Sequence, residues 1–99
     1  MNPQLHIPRE AISNFCRAHD VRELAIFGSA TGDDFGADSD VDVLIDLRPE
    51  ARIGLVALQK MKDELAAIFG RPVDLVTRAG LNRHIREDVL RQASIVYEE

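Results

Sequence analysis

ELAIFGSATGDDFGADSDVDVLIDL, residues 23–47, is the stretch on which the fold turns. Its first five residues, Glu23-Leu24-Ala25-Ile26-Phe27, form a short, mostly apolar run stopped by Gly28, the pattern of a buried strand. From Thr31 to Ser39 the chain is rich in Gly, Asp, Thr and Ser, a loop composition that follows one short helical turn opening at Ser29. Val41 to Leu47 then reads as the clearest strand of the chain, built of Val, Leu and Ile with Asp42 inside it.

Asp40 and Asp42 stand two residues apart at the entry to that strand. Side chains alternate faces along a strand, so the two carboxylates point the same way. Placed so close, they repel unless a cation sits between them. Mg²⁺ is held by one or two carboxylates together with substrate phosphates, so the pair suits a metal–nucleotide complex. Gly28-Ser29 follows the first strand directly. A glycine there lets the backbone approach a phosphate, and a helical turn opening at Ser29 aims free N–H groups and a hydroxyl at the anion.

Outward from this centre, Pro8 fits the first position of a helix, and Ile12, Phe15, Cys16 and His19 recur at helical spacing over residues 8–19. On the other side, Leu55, Leu58, Met61, Leu65 and Ile68 make an apolar stripe at spacings of three and four, predicting a helix from Ile53 to Phe69 that Gly70 ends. Pro72 precedes a third strand, Val73-Asp74-Leu75-Val76. Asp74 interrupts its apolar run, and a charge there is costly unless paired or metal-bound. If this strand lies beside the second, Asp74 joins Asp40 and Asp42 on one face. Three carboxylates can hold two metals, the arrangement that clamps both oxygens of an in-line phosphoryl displacement. A last helix is predicted from Leu81 to Ser94. The order is helix, strand, loop, strand, helix, strand, helix: an α/β domain in which helices cover a small mixed sheet.

Phe27-Gly28-Ser29, ten residues, then Asp40-Val41-Asp42 resembles the Gly-Ser-x10-Asp-x-Asp signature of the polymerase-beta-like nucleotidyltransferase superfamily. With Arg71-Pro72-Val73-Asp74-Leu75-Val76 and the short length, the chain is similar from about Leu24 to Tyr97 to the minimal nucleotidyltransferases, the MNT-type antitoxins paired with HEPN-domain toxins. The resemblance implies a minimal nucleotidyltransferase fold. It implies that Gly28 and Ser29 contact the triphosphate, that Asp40 and Asp42 hold two Mg²⁺ ions, and that Asp74 holds the catalytic one and helps activate an incoming hydroxyl. Mn²⁺ could serve as well, because oxygen ligands accept either ion. The implied reaction moves AMP from ATP to a hydroxyl, typically of a tyrosine, on the cognate toxin. Many relatives carry an Arg soon after the Gly-Ser pair. Here those positions are Ala30 and Thr31, and Arg78 is the candidate substitute. Two rival functions stand beside this one: an antitoxin that neutralises by binding alone, and a small-molecule nucleotidyltransferase.

Composition bounds the rest. Ninety-nine residues make one domain, residues 1–99, and nothing that short can also cover the nucleotide and select an acceptor. A partner protein or a second copy of the chain is therefore expected to complete the site. The net charge of −5, the acidic residues concentrated between Asp33 and Asp46, and the absence of Trp argue against a general grip on nucleic acid. A single cysteine, Cys16, excludes an internal disulfide. With no signal peptide and no apolar run of membrane-spanning length, the expected location is the cytoplasm.

Other features read more plainly. Asp38, Asp40 and Asp42 alternate as in a calcium loop, but that loop needs Gly at its sixth position and Glu at its twelfth, where this chain has Val43 and Pro49. Asp46 reads as solvated or capping, His84 as a surface residue, Cys16 as core, and Tyr97 as a contact of an exposed tail.

Overall fold

The computed structural model describes residues 6–28, 40–81 and 83–99, and of residues 83–86 only the backbone. The elements run α1 (Arg9–Ala18), β1 (Val21–Phe27), β2 (Val41–Leu47), α2 (Leu55–Phe69), β3 (Val73–Thr77), a 3-10 turn (Arg78–Gly80), α3 (Arg83–Gln92) and β4 (Ser94–Glu98). Residues 29–39 and with them Ser29, Ala30 and Thr31 lie outside the described part, as does the loop expected there.

The four strands lie in the order β3-β2-β1-β4. β1 pairs antiparallel with β2 and with β4, whereas β2 and β3 are parallel, so the sheet is mixed. A parallel pair cannot be joined by a tight turn, and α2 supplies the crossover. Alternation divides the sheet cleanly. Leu24 and Ile26 of β1 and Val41, Val43 and Ile45 of β2 are all fully buried on one face, where they meet Ile12, Phe15 and Cys16 of α1 and Met61, Leu65 and Phe69 of α2. That layer is the hydrophobic core.

Local sequence sets the start of α1 and the end of α2. Pro8 stands one residue earlier than expected, flanking α1, and its carbonyl accepts the first helical bond from Ile12 N at 3.0 Å. Gly70 closes α2 in the left-handed conformation, φ +68°, and its N–H bonds the Ala66 carbonyl at 2.8 Å. Between α1 and β1, Asp20 takes φ +58°, which a short polar side chain tolerates. Its carbonyl accepts from Arg48 N at 2.9 Å, tying the start of β1 to the end of β2.

Two expectations need correction. The last helix stops at Gln92 rather than Ser94, and Ser94–Glu98 is a fourth strand. Tyr97 is accordingly no tail residue: it pairs with Leu24 across the β1–β4 ladder and packs against the core. Also, the apolar stripe of α2 is not wholly inward. Leu55 and Val56, in its first turn, are 85% and 72% exposed. Among the described residues no helix is long and apolar enough to cross a membrane.

Candidate active site

The second face of the sheet carries the polar residues. Val41 and Val73 are register partners in the parallel β2–β3 ladder and both are buried in the core, so the next pair, Asp42 and Asp74, projects from the opposite face. The two carboxylates thus sit directly opposite one another on neighbouring strands, roughly 5 Å apart at the backbone. Asp42 is half-buried and Asp74 exposed. Asp40, one residue before β2, is exposed as well.

Gly28 completes this end of the face. Phe27 is the ladder partner of Asp42, so the residue after it passes beside the Asp42 side chain. Gly28 has φ +71°, and a Cβ built on it would overlap Asp42 Oδ2. The glycine is required twice over, by its conformation and by the carboxylate that occupies the space of its missing side chain.

Of the five residues expected at the site, then, the fold brings Gly28, Asp42 and Asp74 together and leaves Asp40 at the border of the described segment. Ser29 lies outside it. Among the described residues no group of three or more His, Cys, Asp or Glu side chains converges tightly enough to hold a metal by itself. An in-register carboxylate pair, with Asp42 seated in the side-chain space that Gly28 leaves, nevertheless fits a Mg²⁺ that draws its other ligands from phosphates and water.

A second polar group lies further along the same face. Asp46 is four residues past Asp42, about 13 Å along the strand. It is not the solvated residue expected: its side chain is 15% exposed. Its Oδ2 accepts from Arg22 Nε at 2.9 Å and Nη2 at 2.8 Å, and Arg78 Nη1 approaches it at 3.5 Å. Arg78 Nη1 also stands 3.8 Å from Glu23 Oε2. The 3-10 turn presents Arg78, and Thr77 Oγ1 stabilises that turn by accepting from Gly80 N at 3.1 Å. Arg78 is therefore at the far end of the face from Gly28, which does not suit it as the substitute phosphate contact. Nothing local in the sequence signals this network, because Arg22 and Asp46 meet only through the pairing of β1 with β2.

The chain is similar to known proteins in the same sense. A family model described as nucleotidyltransferase domain matches residues 9–96. A protein adenylyltransferase, MntA, of Thermococcus cleftensis is 38% identical over 77 residues, 78% of this chain and 74% of that protein. A solved structure described as a minimal nucleotidyltransferase superposes with a TM-score of 0.73 at 32% identity, covering 87% of this chain and 86% of its own. The fold alone is shared with a chain from the complex of a tri-AMPylated Shewanella oneidensis HEPN toxin with its MNT antitoxin (TM-score 0.68, 17% identity, 92% of this chain and 70% of that one).

Proposed function

This chain belongs to the nucleotidyltransferase domain family, and from that premise we propose that it transfers AMP from ATP to a hydroxyl of a cognate HEPN-type toxin, acting as its antitoxin. The observation that carries the reading is the contact between Gly28 and the Asp42 carboxylate, with Asp74 in register across the next ladder. Carboxylates that can share a cation are thereby held on one rim, beside the Gly28 backbone.

In this reading Gly28 and Ser29 seat the triphosphate, while Asp40, Asp42 and Asp74 are the residues that hold Mg²⁺ or Mn²⁺. The cation, when bound, neutralises the charge that develops on the phosphoryl oxygens. Asp74, exposed on the edge strand, is a carboxylate that an acceptor can reach from outside. It takes the proton of the incoming hydroxyl as that oxygen bonds to the α-phosphorus and the bond to the β-phosphate oxygen breaks, releasing pyrophosphate. The acceptor is a tyrosine of the toxin, a phenol whose pKa near 10 calls for a nearby base. MntA of Thermococcus cleftensis, a protein adenylyltransferase by name, supports the transfer, and the AMPylated HEPN toxin bound to an MNT antitoxin supports the partner.

The test is intact-mass spectrometry of the cognate toxin co-expressed with this chain in wild-type and Asp40→Asn/Asp42→Asn forms. Whole AMP units added only by the wild type establish the transfer. An unmodified toxin that co-purifies with both forms leaves an antitoxin that acts by binding alone.

A further inference from the structure

α2 turns two different stripes to its surroundings. Met61, Leu65 and Phe69 enter the core, whereas Leu55, Leu58, Gln59 and Lys62, spaced by three and four, face the edge of the sheet. There they line a groove of roughly 580 Å³, counting the part open to solvent, whose other wall is Asp74 and Leu75 of β3. Leu55 is 85% exposed and its neighbour Val56 72%. A lone aliphatic side chain in solvent is ordinary, but two of them adjoining an apolar groove form a patch of the kind that partners cover.

β3 is the outer strand, so no further strand covers the groove among the described residues. Val41 N donates to the Pro72 carbonyl at 2.9 Å, which fixes the alternation of the parallel ladder: Asp74 turns its backbone groups to β2, and Leu75 turns its N–H and C=O outward along the groove. An edge of this kind accepts an extended segment whose side chains seat in the adjoining groove. The rim is also electropositive. Lys62 makes no ion pair among the described residues, the first turn of α2 holds no acidic residue, and Gly54 gives that helix end no side-chain cap.

Position identifies the occupant. Asp74 borders the groove, yet its side chain projects from the opposite face of the sheet with that of Asp42. A segment lying in the groove therefore runs up to the carboxylate that takes the acceptor's proton in the proposed reaction. We propose that this groove docks the acceptor protein, holding an extended segment next to its modified hydroxyl by an aliphatic side chain beside Leu55 and Val56 and a carboxylate beside Lys62; the proposal rests on the AMP-transfer reading above. With docking on one side of the edge and chemistry on the other, the groove selects the acceptor without touching ATP.

Steady-state AMP transfer to the cognate toxin, followed by intact mass, tests this together with calorimetric titration of each chain with ATP and Mg²⁺. Leu55→Ser/Val56→Ser should raise KM for the toxin about tenfold or more, with kcat and ATP affinity within about twofold of the wild type. Lys62→Glu should raise that KM about threefold or more at low salt and by less at high salt. Unchanged ATP affinity reports that the fold of each variant is intact. If both variants keep the wild-type KM, the groove docks no acceptor, while AMP transfer stands. If the double variant lowers kcat at saturating toxin and leaves KM alone, these residues act on the chemistry and the docking proposal falls. If it turns a wild-type dimer into a monomer in sedimentation with KM unchanged, the occupant is a second copy and the proposal again falls. A wild-type chain that adds no AMP to the toxin overturns both readings.

Discussion

Gly28 shows how one position can answer both to a backbone conformation and to a neighbouring carboxylate. At φ +71° a β-carbon costs about 1–2 kcal/mol, and here it would also push the Asp42 carboxylate aside. A displacement on the order of 1 Å at a reacting centre can cost about a hundredfold in rate. Gly28→Ala should therefore lower AMP transfer at least about a hundredfold while far-ultraviolet circular dichroism remains that of the wild type; undiminished transfer would show that the placement of Asp42 is unimportant. Cys16 is the opposite case, a residue with chemistry but no site. Burial pushes its thiol up from 9.0 to about 12. Below pH 9 the thiol is neutral in both folded and unfolded chains and costs nothing. Between pH 9 and about 12 the unfolded chain loses the proton first, so stability falls as pH rises. Urea unfolding followed from pH 8 to pH 11 should show a steeper loss in the wild type than in Cys16→Ala, and parallel curves would contradict the burial argument. Asp42 and Asp74 were legible in the sequence because a carboxylate inside an apolar strand is conspicuous. Asp46 sits in the same strand but was misread, since nothing local announces Arg22 across the ladder.

Elements declared themselves in proportion to their periodicity. β2 has its expected bounds, Val41–Leu47, and α2 loses only two residues at its start. The exposed first turn of α2 breaks the stripe because Leu55 stands beside the edge strand, lining a groove with Asp74 and Leu75 rather than entering the core. β4 stands where the sequence predicts the end of a helix and a tail. Its signal, the β-forming run Ile95-Val96-Tyr97, is only three residues long, and its role comes from pairing with β1, some seventy positions earlier in the chain. The stop of α2 at Gly70, by contrast, was fully local. Its φ is +68°, and a β-carbon there meets nothing within 4 Å, so strain is the whole penalty of a substitution. Gly70→Ala should cost about 1 kcal/mol, a fall of about 4–8 °C in Tm for a chain of this size, with AMP transfer at 25 °C unaffected. A scanning-calorimetry shift much larger than that would mean the turn bears on packing as well.

At the scale of the molecule the two faces of the sheet do different work. One is sealed by α1 and α2 and holds the core, while the other carries the carboxylates and, among the described residues, is crossed by α3. In the proposed function stability and activity are thus segregated, and substitutions on the two faces should behave differently. On the core face, Leu65 is fully buried, and Leu65→Ala should cost about 2–5 kcal/mol. On the polar face, Asp42 and Asp74 are like charges directly opposite one another, an arrangement that destabilises a sheet by about 0.2–1 kcal/mol. In the proposed reaction both carboxylates hold the cation, and that requirement keeps the repulsion in place. Asp74→Asn should consequently abolish AMP transfer yet leave the chain as stable as the wild type, or more stable by up to about 1 kcal/mol, in urea unfolding with a chelator present. Added Mg²⁺ should narrow the difference by relieving the repulsion in the wild type alone. If Asp74→Asn instead lost stability on the scale of Leu65→Ala, the carboxylate would be a structural anchor, and the division of labour between the faces would have to be abandoned.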